Sequence, residues 1–401
     1  MSSAPPDSDP LPVPPVPVDV VPYDPAWADL FRTESAKVRA ALGQFVDGGV
    51  LEELEHIGST SVPGLHAKPT IDMMGRIHPY PPSQETIEAL EAIGYTWRGE
   101  YGLPGRTYFT KGPHDYHLHL VGFEGGLWER HVVFPAYLRA SERARERYAS
   151  LKIDLAERFH LDRPAYQDGK TTLVTILARE AAEWHLRSTG FTPVERLVTL
   201  FDGLPDDGLW AVSSGWALDL HLGTPSRYHD DLDVEVDARG QSLVQRHLAD
   251  RGWRLDQVVD HGRYAPWPTG EPMAEGSHQA HARLDGEFID LLFAPRADGQ
   301  WRFRRDERVT LTLERALLRT VLPSGRSVRY LCPEAVLLFK SRSSHGGVES
   351  GPRGKDAEDF ARVLPRLEAG AREWLAAALR VVHGEHVWLA ELEGGAVGSG
   401  G

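Results

Sequence analysis

Apolar positions along this chain recur in two rhythms. Short alternating runs read as strands, and longer runs at three- and four-residue spacing read as helices. In the first half, a helix is predicted over 26–43, after Tyr23-Asp-Pro25-Ala-Trp. Leu51 to His56 leads into Gly58-Ser59, and a strand follows from Thr70 to Gly75. A helix over 84–93, strands near 105–110 and 115–122, arginine-rich helices over 134–158 and a closing helix from Lys170 to Glu183 complete this half. In the second half, a strand from Leu209 to Val212 enters a turn of small residues, Ser213-Ser214-Gly215, and a helix follows. Asp231 to Val236 reads as a strand. His281 to Phe293 reads as a hairpin about Asp285-Gly286, a strong two-residue turn signal. Later helices begin at Pro333 and near Lys355. The predicted class is α/β (α+β), with a mixed, mainly antiparallel sheet and packed helices in each half. The expected boundaries are a disordered proline-rich tail at 1–17, a first domain at 18–186, a linker at 187–193, a second domain at 194–393 and a flexible end at 394–401.

Composition narrows the classes. With 401 residues, 41 % hydrophobic and 25 % charged, the chain is ordinary globular protein with room for two cores. A formal net charge of −14 argues against a DNA-binding protein, which needs a basic footprint. It suits an enzyme that meets nucleotides through a cation, or one that attracts a cationic substrate. The lone cysteine, Cys332, excludes an intrachain disulfide and any cysteine-rich zinc site. No apolar run approaches the roughly 18 residues of a membrane span, and no basic residue precedes Arg32, so a cytoplasmic location is expected. The oligomeric state cannot be read from the sequence.

The chemistry gathers around Arg227-Tyr-His229-Asp-Asp231-Leu-Asp233-Val-Glu-Val236. Residues two apart in a strand share a face. Asp231 and Asp233 therefore project together, while Leu232, Val234 and Val236 face the core. Two adjacent carboxylates repel unless a cation lies between them. Mg²⁺ takes oxygen ligands, usually one or two carboxylates plus substrate phosphates, so the simplest use of the pair is a Mg²⁺–nucleotide site. Backbone amides of the Ser213-Ser214-Gly215 turn, at the start of a helix, suit a triphosphate. Asp290 lies in an otherwise apolar strand, Phe288-Ile-Asp-Leu-Leu-Phe293, where an unpartnered carboxylate is costly. Sharing the metal, or serving as base toward an acceptor hydroxyl, would relieve that cost. Glu287 has the opposite parity. Arg227 and His229 either contact phosphate or acceptor, or decorate a loop. Lys340 reads as a solvated helix residue, and Asp219 and His221 as structural or solvent-facing. Lys355 opposes the macrodipole at a helix start, a hint of a role toward nucleotide or Asp359. Trp216, Tyr228, Trp253, Tyr264 and Trp267 either line an acceptor pocket or pack the core.

Residues 190–395 resemble the aminoglycoside- and lincosamide-type nucleotidyltransferases. The resemblance rests on Ser214-Gly-Trp-Ala-Leu-Asp219, Arg227-x-His229-x-Asp231-Leu-Asp233 and Gly286-Glu-Phe-Ile-Asp290. Phe303-Arg-Arg-Asp306, Pro333-Glu-Ala-Val-Leu-Leu-Phe-Lys340 and Lys355-Asp-Ala-Glu-Asp359 add to it. Relatives usually carry glycine where Ser214 stands. Residues 18–186 resemble the GrpB-like family through His56-Ile-Gly-Ser-Thr-Ser-Val-Pro-Gly-Leu-His-Ala-Lys-Pro-Thr-Ile-Asp72, His117-Leu-His119, Tyr148-Ala-Ser-Leu-Lys152 and Tyr166-x-x-x-Lys170. That family is regarded as having a nucleotidyltransferase-like fold, so the resemblance implies two such domains. It also implies transfer of AMP, or another NMP, from ATP or another NTP to a hydroxyl of a small molecule. Asp231, Asp233 and Asp290 would then be catalytic and metal-holding, with Ser213, Ser214, Gly215, Arg227, His229 and Lys355 on the nucleotide.

In the first half, Gly58-Ser59 precedes Asp72 by 13 residues (59 to 72), as Ser214-Gly215 precedes Asp231 by 16 (215 to 231). The halves thus read as divergent copies of one fold. The position two after Asp72 is Met74, so the carboxylate pair is missing. Asp72, His117 and His119 form either an altered metal site or the polar lining of a cleft that binds without turnover, with Gly58, Ser59 and Lys68 as its anion side. Two other functions remain open: a nucleotide-binding regulator whose second half is vestigial, and a transferase acting on a protein or tRNA.

Overall fold

The computed structural model describes residues 17–43, 51–113, 115–123, 126–205, 207–229, 231–259, 263–341, 343–345 and 348–394, the side chains of 343–345 and 348–350 excepted. The two expected flexible ends fall almost wholly outside these residues. The chain divides into two compact units, Met1–His185 and Leu186–Gly401. Among the described residues, no helix is long and apolar enough to cross a membrane.

The first unit contains α1 (Ala26–Leu42), β1 (Leu51–Ile57), β2 (Ile71–Ile77), α2 (Gln84–Ala92), β3 (Thr96–Trp97), β4 (Thr107–Lys111), β5 (Tyr116–Val121), α3 (Leu127–Ala140), α4 (Glu142–Arg158) and α5 (Arg163–Thr189). Its sheet runs β1-β2-β5-β4-β3, and only the β2/β5 pair is parallel. Ile71 and Met73 of β2 join Leu54, Phe109, Leu118 and Leu120 in a core that α1 covers with Trp27, Val38 and Leu42, and α2 with Ile87 and Leu90. Each such side chain, fully buried, contributes about 2 kcal/mol. Asp72 and Met74 have the other parity. Met74 is sealed beneath Leu127 and Trp128 of α3. Asp72 is left at an opening lined by side chains of α4 and α5. The helical region ends α3 at Ala140, and Ser141 starts α4 by accepting the Ala144 amide at 3.3 Å, a side-chain N-cap.

The expected linker at 187–193 is instead helical at both ends. Helix α5 continues to Thr189 and α6 (Thr192–Leu200) follows, so only Gly190 and Phe191 lie between them. Gly190 has φ +53, a conformation glycine takes without a Cβ penalty.

The second unit continues with β6 (Trp210–Val212), α7 (Ser214–Leu222), β7 (Leu232–Asp237), α8 (Gln241–Ala249), β8 (Arg254–Val259), β9 (Arg263–Pro266), β10 (Gln279–Leu284) and β11 (Glu287–Ala294). A small sheet of β12 (Arg296–Ala297), β13 (Gln300–Arg302) and β14 (Thr310–Thr312) comes next. After it come α9 (Leu313–Ala316), β15 (Leu317–Val321), β16 (Ser327–Leu331), α10 (Pro333–Lys340), α11 (Gly354–Val363) and α12 (Ala369–His383). The main sheet is β15-β16-β6-β7-β11-β10-β8-β9, with parallel pairs only at β16/β6 and β7/β11. Asp285 and Gly286 both have positive φ, 48 and 81, as a type I′ hairpin turn requires. Val234, Val236, Ile289 and Leu291 enter one core with Val244 and Leu248 of α8.

The two units share a topology. The order β1-β2-β5-β4-β3 is repeated by β6-β7-β11-β10-β8, with the same sense at each pairing. Each is the mixed, mainly antiparallel sheet with packed helices expected from the sequence.

Candidate functional site

Asp233 sits opposite Asp290 in the β7/β11 register, so both carboxylates stand on the face opposite Val234 and Leu291. Ser213, Ser214 and Asp233 line a cavity of about 290 Å³, together with the cations Arg304, Arg305, Lys340 and Arg353 and the carboxylates Glu235 and Asp356. Asp233 is half-buried, and desolvation together with the Asp231 charge pushes its carboxyl up to about 7; the Ser214 hydroxyl, Lys340 and Lys355 oppose that shift. Asp290, 8 % exposed, accepts a hydrogen bond from Gln279 Nε2 at 2.7 Å, and His281 Nε2 stands 3.8 Å from its other oxygen. Arg304 is pushed down to about 10 by burial and by neighbouring Arg305. Two adjacent cations in a partly enclosed cavity make an anion-binding wall.

Ser214 has φ +52, in the left-handed region. That explains the usual glycine here, since serine in this conformation carries backbone strain; its hydroxyl lies close enough to lower the Asp233 carboxyl. At the next position a Cβ would lie 2.3 Å from His229 Nδ1 and 2.9 Å from Arg227 Nη2, so Gly215 is required by close packing. His229 is turned inward. Its Nε2 is 2.6 Å from Asp219, and its ring packs 4.6 Å from Trp216. Arg227 donates twice to Asp359, at 2.9 Å each. These two side chains thus buttress the turn and the acidic strand; the structure does not bring them into the cavity lining.

Lys340, expected to be solvated, is 6 % exposed and bridges Asp356 at 2.9 Å and Asp359 at 3.0 Å. Burial raises the Asp359 carboxyl, but Arg227 and Lys340 outweigh it and hold the group well below the usual range. Trp216, Trp253 and Trp267 belong to the core and not to an acceptor wall. The Tyr264 ring lies 4.8 Å from that of His281, tilted by 40°, and His281 stands beside Asp290. Sequence reasoning also passed over Arg304, Arg305 and Gln279. The Phe303-Arg-Arg-Asp306 motif was the available signal for the first two. Gln279 had none.

In the first unit, Gly58, Ser59, Lys68, Asp72 and His117 line one cavity of about 390 Å³. His117 Nδ1 stands 3.0 Å, and His119 Nε2 4.0 Å, from the same Asp72 oxygen. Arg106 donates to His119 Nδ1 at 3.2 Å. Among the described residues, no group of three or more His, Cys, Asp or Glu side chains is arranged to hold a metal ion. His117 is hydrogen-bonded to Asp72, with His119 beside it. In the second unit, Asp231, Asp233 and Asp290 are not a closed cage. Mg²⁺ needs only one or two carboxylates when phosphates supply the rest, and the mutual repulsion at Asp233 fits a cation there.

Register also corrects the internal alignment. Ile57 pairs with Asp72, and the Ser213 amide donates to Asp233 O. The next residue, Gly58 or Ser214, has positive φ in both units. Asp72 therefore matches Asp233, not Asp231. His117 stands where Asp290 does, and the missing carboxylate partner corresponds to Thr70, not Met74.

Comparison with known proteins agrees with this architecture. Residues 17–180 match the family model described as GrpB protein, and residues 196–363 the model described as aminoglycoside-2''-adenylyltransferase. The chain is 32 % identical to the UPF0157 protein YqkA of Bacillus subtilis over 169 residues, 42 % of this chain and 48 % of that protein, so it spans about half of that relative. It is 35 % identical to a UPF0157 protein of Pseudomonas aeruginosa, over 41 % of this chain and 68 % of the relative. A crystal structure of ANT(2")-Ia in complex with adenylyl-2"-tobramycin aligns at 19 % identity and TM-score 0.33, over 47 % of this chain and 95 % of that one. Through its first unit the chain belongs to the GrpB family, and to that unit is joined an aminoglycoside-2''-adenylyltransferase-like domain.

Proposed function

We propose that the second unit is a Mg²⁺-dependent nucleotidyltransferase that moves AMP, or another NMP, from an NTP to a hydroxyl of a small molecule of aminoglycoside or lincosamide type. The observation that carries this reading is the half-buried Asp233 carboxyl, raised by desolvation and by its neighbour Asp231, in a cavity that Arg304, Arg305, Lys340 and Arg353 also line. Asp231 and Asp233 would hold the Mg²⁺, which when bound neutralises phosphate charge and polarises the attacked phosphorus. Arg304 and Arg305 bind the triphosphate, and the Ser213-Ser214 turn orients it. Lys340 is committed to Asp356 and Asp359 and keeps α10 and α11 in place beside the cavity. The acceptor oxygen forms a bond to the α-phosphorus. The bond from that phosphorus to its bridging oxygen breaks, and pyrophosphate leaves with the electron pair. Asp290, oriented by Gln279, takes the hydroxyl proton.

The test is pyrophosphate release from each NTP with Mg²⁺ across a panel of aminoglycosides, lincosamides and simple sugars. Release is expected to require one acceptor class and to fall about a thousandfold in Asp233→Asn. Release that persists in Asp233→Asn, or is absent with every acceptor, removes this reading.

A further inference from the structure

The two Tyr-x-x-x-Lys words of the first unit are left unused by the transfer reaction, and the structure brings them together. Tyr148 and Lys152 lie one turn apart on α4, and Tyr166 and Lys170 one turn apart on α5, so each pair shares a helix face. Lys152 Nζ lies 4.6 Å from the Tyr148 ring centroid, and Lys170 Nζ 4.4 Å from that of Tyr166. Both lysines line the cavity that contains Asp72, as do Lys68, Arg106 and Arg163. Five cationic side chains thus surround one carboxylate, and that carboxylate is already engaged by His117. Lys152 is 2 % exposed, and its ammonium has no hydrogen-bond partner. A buried ammonium facing a cavity without an acceptor is costly. Burial, helped by Lys170 and Lys68, pushes it down to about 7, and burial with Lys68 and Arg163 pushes Lys170 down to about 8.

We infer that this cavity binds a compact oligophosphate, an inorganic triphosphate or the triphosphate of a nucleotide, through Lys68, Lys152, Arg163, Lys170 and Arg106, without a metal ion. Three observations converge on that ligand class. The excess of positive charge matches an anion of several negative charges. The volume of about 390 Å³ exceeds the need of a single phosphate. The turn Gly58-Ser59, with Gly58 at φ +71, repeats the phosphate-facing turn proposed for the second unit, so the oligophosphate has backbone as well as side-chain partners. The absence of a metal follows from the correspondence between units. Where the second unit has Asp231 and Asp290, the first has Thr70 and His117, and lysines take over the neutralising role. Tyr101, 70 % exposed, stacks on the buried Tyr108 at 5.2 Å, a flat surface that a nucleobase would use and an inorganic chain would not.

The experiment is calorimetric titration of the full chain with inorganic triphosphate, pyrophosphate, orthophosphate and ATP, in EDTA so that Mg²⁺-dependent binding by the second unit is silent. Triphosphate is expected to bind more tightly than orthophosphate. Lys152→Met and Lys170→Met are each expected to weaken it about 10- to 100-fold. Lys152→Met is also expected to raise the unfolding midpoint of the ligand-free chain, because it removes a buried unpaired charge, so weakened binding cannot be assigned to a damaged fold. ATP binding tighter than triphosphate and weakened by Tyr101→Ala identifies a nucleotide; equal binding identifies the phosphate chain alone. No binding of any of the four, or unchanged affinity in the Lys152→Met/Lys170→Met double variant, overturns the inference. Neither result bears on pyrophosphate release by the second unit, which is assayed with Mg²⁺.

Discussion

Gly215 and Lys152 show opposite ways in which one position carries a site. At Gly215 the constraint is space. A methyl group there meets His229 at 2.3 Å, and the ring cannot retreat because its Nε2 is bound to Asp219, itself fully buried. Gly215→Ala is expected to destabilise the second unit by about 1–3 kcal/mol, read as a lower urea midpoint. It should also lower transfer, since Asp231 follows His229 by two residues; an unchanged midpoint would show that the turn is not tightly packed. At Lys152 the constraint is charge. Its folded-state pKa of about 7 lies below its ordinary 10.5. Between those values the unfolded chain holds a proton that the folded chain has given up, so stability rises with pH across that window and the full penalty is present below it. Lys68, Lys170 and Arg163 face the same cavity and titrate or repel alongside it. The difference between wild type and Lys152→Met therefore isolates this residue. The variant's stability advantage, measured by chemical unfolding in the absence of phosphates, is expected to be a few kcal/mol near neutrality and to fade toward pH 10. A gap that is constant with pH would mean that Lys152 is not buried as a charge.

Among elements, α10 and α11 are fastened by ions as well as by apolar contact, with Val336, Leu337, Phe360 and Val363 in one core. Lys340 at the end of α10 meets Asp356 and Asp359 of α11, and Arg227 closes the network from the loop before β7. Asp356 and Asp359 are 1 % and 2 % exposed; without Lys340, Asp356 keeps Arg353 and Asp359 keeps Arg227 and Arg362, but the buried cation that the two carboxylates share is gone. Lys340→Met is expected to cost about 3–5 kcal/mol in the second unit, checked by denaturant unfolding. The double variant Lys340→Met/Asp356→Asn should recover part of that loss; equal destabilisation by single and double variants would argue that packing, not charge pairing, is what Lys340 supplies. The same logic explains why the periodic pattern mistook Lys340 for a solvated residue. Its partner Asp356 lies 16 residues away and Arg227 joins through Asp359 across 132, distances at which helical spacing carries no information.

At the scale of the whole molecule, the net charge of −14 bears on encounter with substrate. A polycationic acceptor is drawn toward an acidic protein, and salt screens that attraction. With such an acceptor, kcat/KM for nucleotidyl transfer is expected to fall several-fold as ionic strength rises from about 0.05 to about 0.5 M. With a neutral hydroxyl acceptor it should change little. The same dependence for both acceptors would show that the long-range field plays no part in acceptor capture. One five-strand topology is repeated in both units, and the uses we propose for it differ: carboxylates toward a metal in the second, ammonium groups toward phosphate in the first.

The local signals in the chain were strong enough to determine much of this. Parity placed Asp233 opposite Val234, Asp285-Gly286 specified its turn, and the long motif ending at Asp72 marked the first unit, because each depends on neighbours within a few residues; Asp231, expected in the same strand, lies in the bend just before it. Tertiary structure alone decided the rest. It matched Asp72 with Asp233, which required strand register across a sheet. It turned Arg227 and His229 away from the cavity and toward buried carboxylates, since an interior charge or imidazole takes the nearest partner of opposite character whatever its place in sequence. It also gathered Lys68, Arg106, Lys152, Arg163 and Lys170 around one opening. Such a cluster exists only once a strand loop and two helices have packed, and no one-dimensional pattern records the distance between charges that folding brings together.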